Sequence, residues 1–204
     1  YLDPVRKRSN LTILTRALVQ KINFDGTKAV AVTYKTGAGI LRSAHVRKEI
    51  ILSAGAVGSP QILMLSGIGP AGHLRDMGLD VLSDLPGVGQ NLNDHPDFVL
   101  KYKCKQPVSF WPKTKPLAKL GAGIQWMMTR GGIVASNLFE GLGCVRSGPG
   151  VDYPDLQIII SPIAVDDRTW APLQEHAFQI HVGLMRAHSR GKIELRSSDL
   201  SDPP

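Results

Sequence analysis

Residues 51–69, ILSAGAVGSPQILMLSGIG, constrain the fold of this chain more than any other stretch. An apolar run meets a bend built from Gly, Ala and Ser, and a second apolar run follows, opened by Ser59-Pro60. Glu49-Ile50-Ile51-Leu52 has the short, continuous apolar character of a strand buried on both faces, which predicts an inner strand. Ser59 is a good N-cap, and Pro60 suits a first helical turn, where its missing N–H removes nothing. The pattern therefore predicts a helix from Pro60 to about Leu65, ending near Ser66-Gly67. Gly55 and Gly58 permit positive φ or close backbone approach, and amides at a helix N-terminus suit an oxygen-rich or anionic ligand. A close-packed strand-to-helix turn with no ligand would use the same residues, so local chemistry leaves both readings open.

The 204 residues are 43% hydrophobic, enough to bury a core in one large or two small domains. Residues 50–74 contain no Asp, Glu, Lys or Arg, a length sufficient for a membrane span. Gly, Pro and Ser interrupt them repeatedly, so no transmembrane segment is expected, and no basic-then-apolar leader marks a targeting peptide. The chain opens on Tyr1 rather than Met, which suggests a processed product or an excised piece of something longer. A net charge of +7 would permit an anionic partner. The dense basic groups are Arg6-Lys7-Arg8 and the lysines at 101, 103, 105, 113, 115 and 119, and no nucleic-acid motif accompanies them. Lys101, Lys103 and Lys105 alternate with Tyr102 and Cys104, as on the wet face of an edge strand; no nucleic-acid partner is expected. Cys104 and Cys144 form no CxxC pair and read as buried free thiols, and the six histidines show no metal-ligand spacing, so no metal is inferred.

Residues 10–52 are strand-rich, with Asp25-Gly26 at a hairpin turn and Gly37-Ala38-Gly39 separating residues 30–34 from the next extended stretch. PAGHLRDMG reads as a short helix ending at Gly78, and LDVLSDLPGVGQNLNDHP reads mostly as loop. Composition changes near His95-Pro96. Beyond it the pattern predicts an extended segment through Lys105, a helix over 117–130, and strands over 156–161, 177–184 and 192–196. The fold class is thus α/β joined to α+β, with a first domain over 1–95 and a second, antiparallel-sheet domain over 96–204. Gly67-Ile68-Gly69-Pro70-Ala71-Gly72 fits GxGxxG in letters only. It follows a helix instead of a strand, and Pro70 removes an amide that a pyrophosphate would need.

GAVGSPQILMLSGIG closely resembles a signature of the glucose-methanol-choline (GMC) flavoprotein oxidoreductases. NLTILTRALVQKI before it and DLPGVGQNLNDHP after it match in order, so the resemblance spans nearly the whole chain. CKQPVSFWP, ASNLFEGLGCVRS and EHAFQIHVGLMRAHSRGKIELRSSD look most like the choline dehydrogenase branch. The resemblance implies FAD-dependent oxidation of an alcohol, with 1–95 part of an FAD-binding domain and 96–204 part of a substrate-binding domain. It also implies that the amino-terminal GxGxxG lies upstream of Tyr1 and the active-site histidine downstream of Pro204. No catalytic residue is therefore assigned, and the isolated chain is expected to be inactive. His181, which alternates with apolar neighbours, and His188, in a turn, take structural roles.

By the same resemblance, Ser53, Ala54 and Gly55 are small because larger side chains would occupy cofactor space, and Val19 lies beside the adenine. Asn91, Asp94 and His95 sit in the matching loop at the domain crossing, where bracing FAD and capping loop backbone are both open. Glu140 interrupts the apolar series NLFEGLGCV, where an unpaired carboxylate is costly and a partner is expected. The choline-oxidising relatives carry a glutamate at the matching position, which implies that Glu140 faces a quaternary ammonium; pairing with Arg146 or a backbone amide is the competing role. The partner implied is a small alcohol, choline first, with another primary alcohol or a non-catalytic basic binding module as alternatives. A parent that is cytoplasmic, or peripherally associated with a membrane through its electron acceptor, fits; oligomeric state is open.

Overall fold

A β-branched run, the Asp25-Gly26 turn and a second β-branched run make a hairpin: β1 (Ala17–Asp25) pairs antiparallel with β2 (Lys28–Thr36). Gly26 takes the positive φ, +55°, that this tight turn requires. β3 (Leu41–His45) adds antiparallel to β2 and completes a three-stranded meander. The computed structural model describes residues 2–204, which divide into two units. One unit is Tyr1–Asn93 with Ser189–Pro204, and the other is Asp94–His188.

In the first unit the meander is followed by α1 (Gly55–Leu65), β4 (Ile68–Gly69), α2 (Ala71–Asp76), β5 (Ser83–Asp84) and β6 (Gln90–Leu92). β4 and β5 pair in parallel. The Ser66 hydroxyl joins α1 to β1, accepting from the Ile22 amide at 2.9 Å while donating to the Ile62 carbonyl at 2.6 Å. Two expectations fail here. Residues 49–52 join no ladder among the described residues, and Ile51 is 79% exposed, because a strand buried on both faces needs a neighbour on each side and no described strand lies there. Helix α1 also starts five residues before Pro60, because Gly55, at φ +81°, turns the chain into the helix. Pro60 then sits inside α1, where it gives up one helical bond to the Ala56 carbonyl.

The second unit opens with β7 (Asp97–Lys103), then α3 (Pro116–Thr129), β8 (Gly141–Val145), β9 (Leu156–Ser161) and β10 (Ala177–Leu184). Its strands form one antiparallel sheet in the order β7-β10-β9-β8. β7 is the edge strand that the alternating lysines suggested; Lys101 pairs with Asp167 at 2.5 Å and Lys103 with Glu175 at 2.6 Å. Helix α3 keeps within one residue of its expected bounds and ends where Arg130 takes φ +55°. Cys104 is half-buried and Cys144 exposed, so the expectation of two buried thiols fails: Cys144 lies on β8, the other edge strand. Among the described residues, no helix is long and apolar enough to cross a membrane.

The tail corrects the domain boundary. The second stretch was expected to run to 204, but β11 (Gly191–Lys192) pairs with β6, and Leu195 is buried against Met64, Leu65 and Leu74. His73 Nε2 accepts the Leu195 amide at 3.0 Å, and Gln61 Nε2 donates to the Asp202 carbonyl at 3.1 Å. Burial of Leu195 and these bonds draw Ser189–Pro204 back to the first unit. Since Leu74 is fully buried in this cluster, Leu74→Ala should cost about 2–5 kcal/mol, read as a fall in the urea midpoint, whereas Ile51→Ala should change it by less than about 0.5 kcal/mol.

Candidate functional site

The bend at residues 53–55 is open. Ser53, Ala54 and Gly55 are all exposed, and a Cβ built on Gly55 meets nothing within 4 Å among the described residues. Glycine at 55 is therefore dictated by backbone conformation. The Ser59 hydroxyl, expected to cap a helix beginning at Pro60, instead accepts the Ala54 amide at 3.0 Å from inside α1. No side chain caps the first turn of α1, and that turn carries no acidic residue. Its first three residues are exposed, so the positive end of the helix dipole lies beside small, solvent-accessible residues.

A cavity of about 410 Å³ lies next to this turn. Ala56, Ser59, Pro60 and Leu63 of α1 form one wall, and Val88, Gly89, Gln90, Asn91, Leu92, Asn93 and Ile193 form the other. The structure thus joins the helix of the opening motif to the GVGQNLN loop, 30 residues apart in sequence, through small and amide-bearing side chains. Asn91 takes φ +61°, a left-handed conformation that Asn tolerates better than any branched residue. Gly89 also has positive φ, and a Cβ there would lie 2.2 Å from the Ile193 carbonyl oxygen. Val19 stays out of this cavity: it is half-buried in β1, opposite Tyr34.

Asp94 and His95 belong to the second unit. The Asp94 carboxylate accepts the His95 amide at 2.8 Å, and the His95 ring Nδ1 bonds the Leu184 carbonyl at 2.9 Å. Glu140 stands at the entry to β8. Its amide donates to the Ile160 carbonyl at 3.0 Å, while its exposed carboxylate is 3.4 Å from the Ser136 hydroxyl. Among the described residues no ion pair joins Glu140 to Arg146. The ring of Phe139, the preceding residue, packs edge-on against His181 with centroids 6.0 Å apart. At the far end of the β8–β9 hairpin the Ser147 hydroxyl and amide hold the Asp155 carboxyl below its ordinary range.

Residues 1–97 match the family model for GMC oxidoreductases. Over its whole length the chain is 46% identical to an oxygen-dependent choline dehydrogenase of Ectopseudomonas mendocina (strain ymp) and 48% identical to one of Staphylococcus xylosus. Through residues 1–97, which carry the sequence of the GMC oxidoreductase N-terminal domain, the chain is similar to that family. It spans 36% of the length of those two relatives. Its fold is that of a formate oxidase of known structure, with a TM-score of 0.89 at 23% identity, covering 98% of this chain and 40% of that one.

Sequence reasoning singled out the bend and the loop but missed the wall between them. Val88 and Ile193 read as ordinary apolar residues, and the glycine of GVG at 89 was the available signal for a close backbone approach. Asn91 separates a backbone role from a ligand role. Asn91→Gly should keep stability within about 0.5 kcal/mol, because glycine takes positive φ freely, whereas Asn91→Val should cost about 1–2 kcal/mol in denaturant unfolding.

Proposed function

We propose that this chain is part of an FAD-dependent enzyme that oxidises the alcohol of choline to the aldehyde. The observation that carries the reading is identity of 44–48% across the whole chain with enzymes named as choline dehydrogenases. FAD, when bound, supplies the acceptor for the hydride leaving the carbinol carbon. The residues of the first unit suit a flavin nucleotide: an uncapped helix N-terminus without acidic side chains, small residues beside it, and a cavity edged by Asn91 and Asn93. In this reading Ser53, Ala54, Gly55 and Asn91 hold the cofactor, Val19 lies beside the adenine, and Asp94 and His95 brace the loop that follows. The first unit serves mainly cofactor binding, and the second, Asp94–His188, serves the substrate.

Glu140 recognises the trimethylammonium group. That group has charge but no N–H, so a carboxylate attracts it without needing a directed hydrogen bond. An exposed carboxylate with no ion pair among the described residues suits this task. The enzyme is cytoplasmic or peripheral to a membrane.

Two measurements test the reading in a flavin-loaded protein containing this chain. Ala56→Phe fills the cavity wall and should lower flavin occupancy at least severalfold, read from absorbance of the purified protein; unchanged occupancy moves the cofactor elsewhere. Glu140→Gln keeps size and removes one negative charge. It should lower kcat/KM for choline about 5- to 150-fold, while 3,3-dimethylbutanol, the uncharged isostere, changes little. Equal losses on both would make Glu140 structural and favour another primary alcohol as substrate.

A further inference from the structure

The polar face of the sheet β7-β10-β9-β8 carries a chain of hydrogen bonds whose direction is set by a backbone amide. Gln179 and His181 lie two residues apart on β10 and so share a face, with Lys101 and Ser161 opposite Gln179 on the flanking strands. The Val165 amide donates to Gln179 Oε1 at 3.1 Å. Gln179 therefore presents its NH₂ group to His181 Nε2, 2.7 Å away, and that ring nitrogen must accept. The other ring nitrogen, Nδ1, carries the proton and donates to Asp97 Oδ2 at 2.6 Å. Both ring nitrogens of His181 are thus fixed, the imidazole is held in one tautomer, and its plane cannot turn without breaking a bond.

One edge of Phe139 meets the ring so held, with planes at 84°. Phe139 is the residue before Glu140, in a segment where Leu138 takes φ +62°, and hydrogen bonds within residues 136–140 tie the turn to itself. Glu140 has two fixed points, its amide on Ile160 and the neighbouring aromatic contact. We infer that the Asp97–His181–Gln179 array is a positioning device for substrate selection: by clamping the His181 ring against Phe139 it sets where the Glu140 carboxylate stands. His181 touches no reacting atom in this account. The inference rests on Glu140 being the cation-recognising residue.

The test measures the ratio of kcat/KM for choline to that for 3,3-dimethylbutanol in the flavin-loaded enzyme containing this chain. A residue that merely supports the fold lowers both values together and leaves the ratio alone. His181→Ala should lower the ratio roughly threefold or more, and Asp97→Ala should lower it in the same direction. Asp97→Asn keeps a carbonyl oxygen for the Nδ1–H and should hold the ratio within about twofold. In the double variant His181→Ala with Glu140→Gln, the ratio should fall no further than in Glu140→Gln alone. Ring ¹⁵N shifts of His181 should report Nδ1 protonated in the parent protein.

If Glu140→Gln lowers the ratio but neither His181→Ala nor Asp97→Ala does, the positioning role is overturned and the proposed function stands. If Glu140→Gln itself leaves the ratio unchanged, the substrate reading falls and takes this inference with it. Should His181→Ala fail to fold, the partly exposed Asp97 pair of variants decides alone.

Discussion

Met64 and Leu74 are the side chains that the first unit buries completely, and both rest on Leu195, more than 100 residues further along the chain. The rest of that unit depends on this contact. Val88 and Ile193 pack against the same cluster with one side and line the cavity beside α1 with the other. The cavity wall is therefore the back of the core. Two glycines allow the approach: a Cβ on Gly69 would lie 2.9 Å from Met64 Cγ, and one on Gly89 would strike the Ile193 carbonyl. Burial of three large aliphatic side chains, each worth about 1.5–3 kcal/mol, is what holds the GVGQNLN loop against the helix.

Much of this was legible in the sequence where the signal was local. The Asp25-Gly26 hairpin, the α2 and α3 helices and the strands over 156–161 and 177–184 follow from turn residues and periodicity, both properties of a few adjacent residues. What failed depended on partners. Glu49-Ile50-Ile51-Leu52 has a strand's composition, but composition does not say what lies alongside. Ser59-Pro60 has the chemistry of a helix start, yet Gly55, free to take positive φ, starts the helix earlier. β8 escaped notice because GLGCV is two-fifths glycine, and its pairing with β9 overrides that weak propensity. The return of residues 189–204 to the first unit shows only in a long-range contact.

The candidate site divides along the same line. The small residues at 53–55 and the loop amide of Asn91 stand out in the sequence, because unusual backbone needs unusual residues. The fixed tautomer of His181 does not. Its alternation with apolar neighbours on β10 was legible and suggested a structural histidine, but Asp97 lies 84 residues away and becomes its partner through the β7–β10 pairing. Phe139 reaches the same ring from a third segment.

In the role proposed for Glu140, recognition of a cation, its exposure decides how it can act. Two unit charges 4 Å apart gain about 1 kcal/mol in bulk water and about 4 kcal/mol at an effective dielectric of 20, so a carboxylate open to solvent is a weak recogniser until the ligand displaces its water. A trimethylammonium group does this with its own methyls, and a tert-butyl group does it equally well without bringing charge to the contact. Shape and charge are thus separable in this pair of ligands as they are not for a primary ammonium, whose N–H bonds would confound them. The same arithmetic sets the value of placement. At a dielectric of 20, moving the carboxylate from 4 to 5 Å loses about 0.8 kcal/mol, about a fourfold change in preference for the cation. Because the attraction has no preferred angle, selectivity rests on distance. In the arrangement inferred here, distance is what the His181 ring behind Phe139 would control.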